Sequence, residues 1–215
     1  MPGKTISIVM CLLAFSTPLM AKTSEFPSNF DHFIRRDGGK LMDGDKEFRF
    51  LGAANTEIRG FARSPRDPIP PTEYELRDAF ETMRQMGQQA VRTYVFSVLA
   101  DRPQFGHVAK HVIGNRKYNE EAFRSFDKML QLADEYGIRV IVPFLDKHSY
   151  GGNQEVFARM HGRRDFYRDG IEVFKQFITD LMARRNTFTG RLYRDEKAVL
   201  AWQLGNELRP PAEWE

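Results

Sequence analysis

Apolar residues recur along this chain in two rhythms that alternate. Phe48 to Ala54 is apolar except for Arg49, and Ala90 to Phe96, Ile138 to Leu145 and Ala198 to Leu204 are further short, largely apolar runs. Runs of that length read as strands buried on both faces, as in a parallel sheet covered by helices. Between them the spacing becomes helical. Leu76, Ala79, Phe80, Met83 and Met86 follow Thr72-Glu73-Tyr74-Glu75, which matches a capping box, and the pattern stops at Gly87. A second helix starts near Asn119, carries Ala122, Phe123, Phe126, Met129, Leu130 and Ala133 on one side, and closes at Gly137. Ile171, Phe174, Ile178 and Leu181 mark a third, from about Asp165 to Arg185. Ahead of all these, Asp37-Gly38-Gly39 and Asp43-Gly44 supply turn residues between short strands.

The order is therefore strand, helix, strand, helix, strand, helix, strand. Long loops follow the strands, at about 55–71, 97–118 and 146–164, whereas the loops after the helices are short. That asymmetry predicts an α/β fold with function at the carboxyl ends of the strands, as in (β/α) barrels. A doubly wound open sheet is the alternative, although no G-x-G-x-x-G follows any strand.

Composition adds little to this picture. The 215 residues are 41% hydrophobic and 28% charged, which suits one globular domain. The net charge of +3 comes from scattered residues, so no basic block marks a nucleic-acid partner. Arg163-Arg164 and Arg184-Arg185 read as solvated helix faces. Residues 1–21 read as a secretion signal: Lys4, an apolar stretch from Ile6 to Phe15, and Ala21 at a plausible cleavage point. The stretch is too short to make a comfortable membrane anchor. The product would be secreted or periplasmic. Cys11, the one cysteine, would leave with the signal, and the mature chain would lack thiol chemistry.

Chemistry concentrates at the strand ends. Glu207 follows the fourth strand beside Asn206, where a carboxylic acid in a partly desolvated pocket can protonate a leaving oxygen. Capping of the next helix or pairing with Arg209 is the plain alternative. Arg92 lies within the second strand and needs a carboxylate or a web of acceptors. Tyr94 shares its face. His148, in the loop after the third strand, is placed for substrate contact, and Asn55 closes the first. His107 and His111 have the spacing of two ligands on a helix but lie in a loop without a partnering Glu, so a metal site is disfavoured.

Four stretches together resemble glycoside hydrolase family 5 of clan A, and its endo-β-1,4-mannanases in particular: "KEFRFLGAAN", "VRTYVFS", "YNEEAFRSFDKMLQLADEYGIRVIVPFLD" and "NTFTGRLYRDEKAVLAWQLGNEL". The resemblance runs from about Phe33 to Pro210. It implies a (β/α)8 TIM barrel, of which this chain covers about the first four strands, hydrolysing a β-linked polysaccharide with retention and without metal or other cofactor. Residues 22–215 would be the N-terminal part of that domain. Glu207 would be the general acid/base, Asn206 would hold the sugar 2-hydroxyl, and Arg92 would orient the nucleophile. Tyr94, His148 and Asn55 would contact substrate. The family's nucleophile is a Glu at the end of the seventh strand, which is not in this chain; Glu213 and Glu215 lie too near Glu207 to inherit its role. The isolated chain is expected to be inactive or nearly so. Related mannanases tend to carry a stacking Trp after the third strand, where His148 is the nearest counterpart here, and Trp214 is a further stacking candidate. A β-1,4-glucanase of the same family, a non-enzymatic glycan-binding or assembly fragment, and a half-barrel that dimerises are the other readings.

Overall fold

The computed structural model describes residues 26–56, 58, 70–99, 110–148 and 152–208. The secretion-signal stretch, His107, Trp214, Glu213 and Glu215 lie outside them. Three short strands come first: β1 (Ile34–Asp37), β2 (Lys40–Asp43) and β3 (Lys46–Glu47), paired antiparallel in that order. The turns are those the sequence calls for, with Gly38 and Gly44 at φ 58° and 62°.

The main sheet is parallel and contains β4 (Gly52–Ala54), β5 (Ala90–Arg92), β8 (Arg139–Asp146) and β9 (Val199–Asn206), in the order β4-β5-β8-β9. Helices α1 (Glu73–Gln85), α2 (Glu120–Glu135) and α4 (Ile171–Met182) alternate with these strands. Spatial order follows chain order without reversal. A doubly wound sheet reverses at a switch point; this sheet does not, and it is part of a (β/α)8 barrel.

Local sequence explains the element ends. Thr72 caps α1 through a complete capping box with Glu75, and the Asn119 side chain accepts from the Glu121 and Ala122 amides at the start of α2. Gly137, at φ 68°, turns the chain out of α2 and into β8. An aromatic cluster packs between sheet and helices. Phe96, fully buried, sits 4.9 Å from Phe126 and 5.5 Å from Phe123, and Trp202 stacks on Phe144 at 5.5 Å.

Several details depart from the sequence reading. The first strand regularises only at Gly52–Ala54: Phe50 and Leu51 are exposed, and although the Leu51 carbonyl accepts from the Gln89 and Ala90 amides, the Leu51 amide turns to the Gln89 side chain. The second is regular only over Ala90–Arg92, although Thr93 and Phe96 still donate to Ile141 and Phe144 carbonyls. The loop after it holds a hairpin, β6 (Val112–Gly114) with β7 (Lys117–Tyr118). The loop after β8 holds a further helix, α3 (Gln154–Met160), and the third predicted helix opens with a π turn over Phe166–Gly170. Leu204 is 64% exposed, since β9 ends the sheet and no described strand covers its outer edge. Arg184 is not solvated: its guanidinium lies 4.0 Å above the Phe123 ring and its Nη atoms pair with Glu120.

The family-like stretch at 186–202 is largely a packing device. Asn186, fully buried, accepts from the amides of Phe188 and Thr189 and donates to the Asp127 carbonyl. Arg191 then bridges two fully buried carboxylates, with Nη2 2.6 Å from Asp134 Oδ2 and Nε 2.8 Å from Glu196 Oε2, while Nη1 donates to the Phe26 carbonyl. Burial pushes the Glu196 carboxyl above the usual range. Tyr193 donates its hydroxyl to Asp127, whose carboxyl is likewise raised by burial.

Candidate active site

The carboxyl ends of the parallel strands gather one polar cluster. Register does this: Arg92 pairs across to Ala54 on one side and Ile141 on the other, and Asp146 pairs with Asn206. The Asn55 amide donates to the Arg92 carbonyl at 3.0 Å, which sets Asn55 beside Arg92 at the end of β4. The Lys147 amide donates to the Asn206 carbonyl at 3.0 Å and carries the β8–β9 pairing to its end.

Arg92 meets a web of acceptors. Its Nε donates to Gln203 Oε1 at 2.9 Å and its Nη2 to Asn206 Oδ1 at 3.0 Å, while Nη1 donates to no described residue. Asn206 Nδ2 donates to Asp146 Oδ1 at 2.9 Å, and the Tyr94 hydroxyl donates to Asp146 Oδ2. Asp146 is fully buried. The sequence reading left out both Asp146 and Gln203. Asp146 had a signal, since it tips an apolar run just as the Asn-Glu pair tips the next. Gln203 had none beyond being a polar residue within a strand.

Glu207 stands at the cluster's open side, its side chain 54% exposed. Its backbone has φ 54°, a left-handed conformation uncommon for a residue with a side chain, and such positions concentrate at functional sites. Gly205 permits the approach that precedes it. A Cβ there would lie 2.8 Å from the Leu145 carbonyl and 2.5 Å from the Leu208 side chain. His148 Nε2 lies 3.0 Å from Glu207 Oε2. At this exposure the pair adds little to stability, and its effect is to orient the carboxyl. Beyond Glu207, an open and mainly apolar cleft of about 650 Å³ is lined by Phe166, Phe174, Leu204 and Leu208, among others.

His111 belongs to the core. It is 2% exposed, its Nδ1 accepts from the Ser97 amide, and its ring meets Phe96 and Phe123 edge-on. Among the described residues no cluster of three His, Cys, Asp or Glu could hold a metal ion. No described helix is long and apolar enough to cross a membrane.

The chain is 27% identical over 212 residues to mannan endo-1,4-beta-mannosidase 5 of Solanum lycopersicum, a match covering 94% of this chain and 48% of that protein. The endo-beta-1,4-mannanase of Thermotoga petrophila superposes with a TM-score of 0.56 at 27% identity, over 77% of this chain and 36% of the other. The chain resembles the mannanases of glycoside hydrolase family 5. A family 5 mannosidase from Rhizomucor miehei, 21% identical, shares the fold with a TM-score of 0.69, over 85% of this chain and 50% of that one. No family model matches the chain. The chain spans about half the length of the curated mannanases it matches.

Proposed function

We propose that this chain forms part of a retaining endo-1,4-β-mannosidase acting on plant-type β-mannan, with Glu207 as the general acid/base. The observation that carries the reading is the Asn206–Glu207 pair at the tip of β9, beside Arg92, in a chain similar to mannan endo-1,4-beta-mannosidases over most of its length. In this reading Glu207 gives its proton to the glycosidic oxygen while a second carboxylate, about 5–5.5 Å away, attacks the anomeric carbon. The carbon–oxygen bond breaks, the leaving sugar departs as an alcohol, and Glu207 then takes a proton from the water that releases the glycosyl-enzyme. His148 steadies the Glu207 carboxyl. Arg92 keeps Nη1 for the attacking carboxylate, and Asn206 holds a sugar hydroxyl.

That second carboxylate comes from residues outside this sequence, as does the remainder of the barrel that covers Leu204 and the outer edge of β9. Residues 1–21 serve as the secretion signal and 22–215 as the N-terminal part of the barrel. The enzyme works outside the cytoplasm, and by itself this chain turns over no substrate.

The test is hydrolysis by the full-length gene product, with galactomannan and carboxymethylcellulose as alternative substrates and proton NMR following the anomer first released. Mannan cleavage with net retention is expected, and Glu207→Gln should lower kcat by about 10²–10⁴-fold. Glycan binding that Glu207→Gln leaves unchanged, with no turnover by the parent, would replace this reading with a non-enzymatic one. Preference for the glucan would move the substrate to β-1,4-glucan.

A further inference from the structure

We infer that Asp146 is a positioning residue that fixes which way round the Asn206 amide faces; the inference rests on the proposed glycosidase reading for its consequence in turnover. A carboxamide is almost symmetric in shape, so a 180° flip exchanges its oxygen and nitrogen at little steric cost. What decides the orientation is the pair of groups on either side. Here one side is donor only, the Arg92 guanidinium 3.0 Å from Oδ1. The other is the Asp146 carboxylate, an acceptor 2.9 Å from Nδ2. The flipped amide would set N–H against guanidinium and oxygen against carboxylate, two repulsive contacts in place of two attractive ones.

Asp146 is equipped for this single task. It is fully buried, it is ion-paired to no described cation, and Oδ2, the oxygen not given to Asn206, accepts from Tyr94. Tyr94 thereby holds the carboxylate while the carboxylate holds the amide. The linkage crosses from the chain just after β5, through the tip of β8, to the tip of β9. Asn206 is left with a second N–H and a second lone pair that meet no described residue. Both issue from one amide of fixed orientation, so a sugar hydroxyl that both donates and accepts has one way to sit.

The conservative variant separates geometry from charge. In Asp146→Asn the new amide oxygen can accept from Asn206 while its nitrogen donates to Tyr94, whose hydroxyl turns to accept. Asp146→Leu fills the space and removes the acceptor. In the full-length gene product acting on β-mannan, Asp146→Leu is expected to lower kcat/KM by about tenfold or more. Asp146→Asn should stay within about fivefold of the parent. Side-chain ¹⁵N–¹H NMR of the parent and Asp146→Asn gives a readout independent of turnover: the Asn206 NH₂ pair should show one proton shifted downfield, moving upfield in the variant. A folded Asp146→Leu enzyme with unchanged kcat/KM would overturn the inference. So would an Asp146→Asn loss as deep as that of Asp146→Leu, or an Asn206 amide signal indifferent to Asp146→Asn. Should Asp146→Leu fail to fold, Asp146→Asn and the amide signal decide alone. A parent that leaves mannan intact while its Asn206 signal responds to Asp146→Asn would sink the glycosidase reading and leave the positioning role standing.

Discussion

Replacing Arg191 with Met tests what holds the second helix, the approach to the last described strand and the segment at Phe26 together. The guanidinium serves three elements at once: Asp134 in the last turn of α2, Glu196 on the approach to β9, and the carbonyl of Phe26. Both carboxylates are fully inaccessible. Met fits the stem of Arg191 but donates nothing, so two buried carboxylates lose their counter-charge together. Removing one partner of a buried ion pair costs about 3–5 kcal/mol, or a melting temperature lower by about 6–20 °C for a domain of this size. The assay is urea denaturation of the full-length gene product, followed by circular dichroism at two pH values. At pH 7 the variant should lose the whole amount. Near pH 5 the loss should shrink, because an unpaired buried carboxyl escapes its desolvation by taking a proton. A loss below about 1 kcal/mol at pH 7 would refute the claim that Arg191 neutralises this pair.

Two further outcomes follow from the same structure. Burial raises the carboxyls of Glu196 and Asp127 above their ordinary 4.5 and 3.8, so the folded chain holds more protons there than the unfolded one. Their contribution to stability is complete below those ordinary values and is lost as pH rises through the raised ones, so urea midpoints should fall across that window; midpoints that rise would contradict it. Gly205→Ala sets a methyl 2.8 Å from the Leu145 carbonyl, and the backbone that carries Asn206 and Glu207 has to move. The expected costs are about 1–3 kcal/mol in stability and about 10²-fold in kcat on mannan; unchanged kinetics would show that the approach is not needed.

Much of the fold was legible because its signals are local. Thr72 with Glu75, and Asn119 with Gly137, mark helix ends by side-chain chemistry that needs no tertiary partner. What escaped depends on partners far along the chain. The seven residues of α3 have an Asn153 cap, but their stability comes from burying Phe157 and Ala158, and no run that short carries a readable period. Arg184 looks like a surface residue until Phe123 and Glu120 are brought beside it. The site divides the same way. Glu207, Asn206 and Arg92 stand out by strand position and family likeness, whereas Asp146 stands out only once the register sets it against Asn206. Within the family-like stretch 186–202, Asn186, Arg191, Tyr193 and Glu196 are occupied with packing and pairing rather than with the candidate site.

The pairing of Asp146 with Asn206 and of Arg92 with Ile141 also bears on how such a molecule can change over evolutionary time. The polar cluster is addressed by the ladder of the sheet, so its geometry is inherited from the backbone of the strands. The described part of the loop after β8 sets His148 against Glu207 at the cluster's open side, whereas the side chains of Arg92, Gln203, Asp146 and Asn206 are oriented by hydrogen bonds among themselves and with Tyr94. Insertions and exchanges in that loop leave the inner constellation intact while reshaping what reaches it. Such a scaffold separates what is inherited through the strands from what is free to vary in the loops.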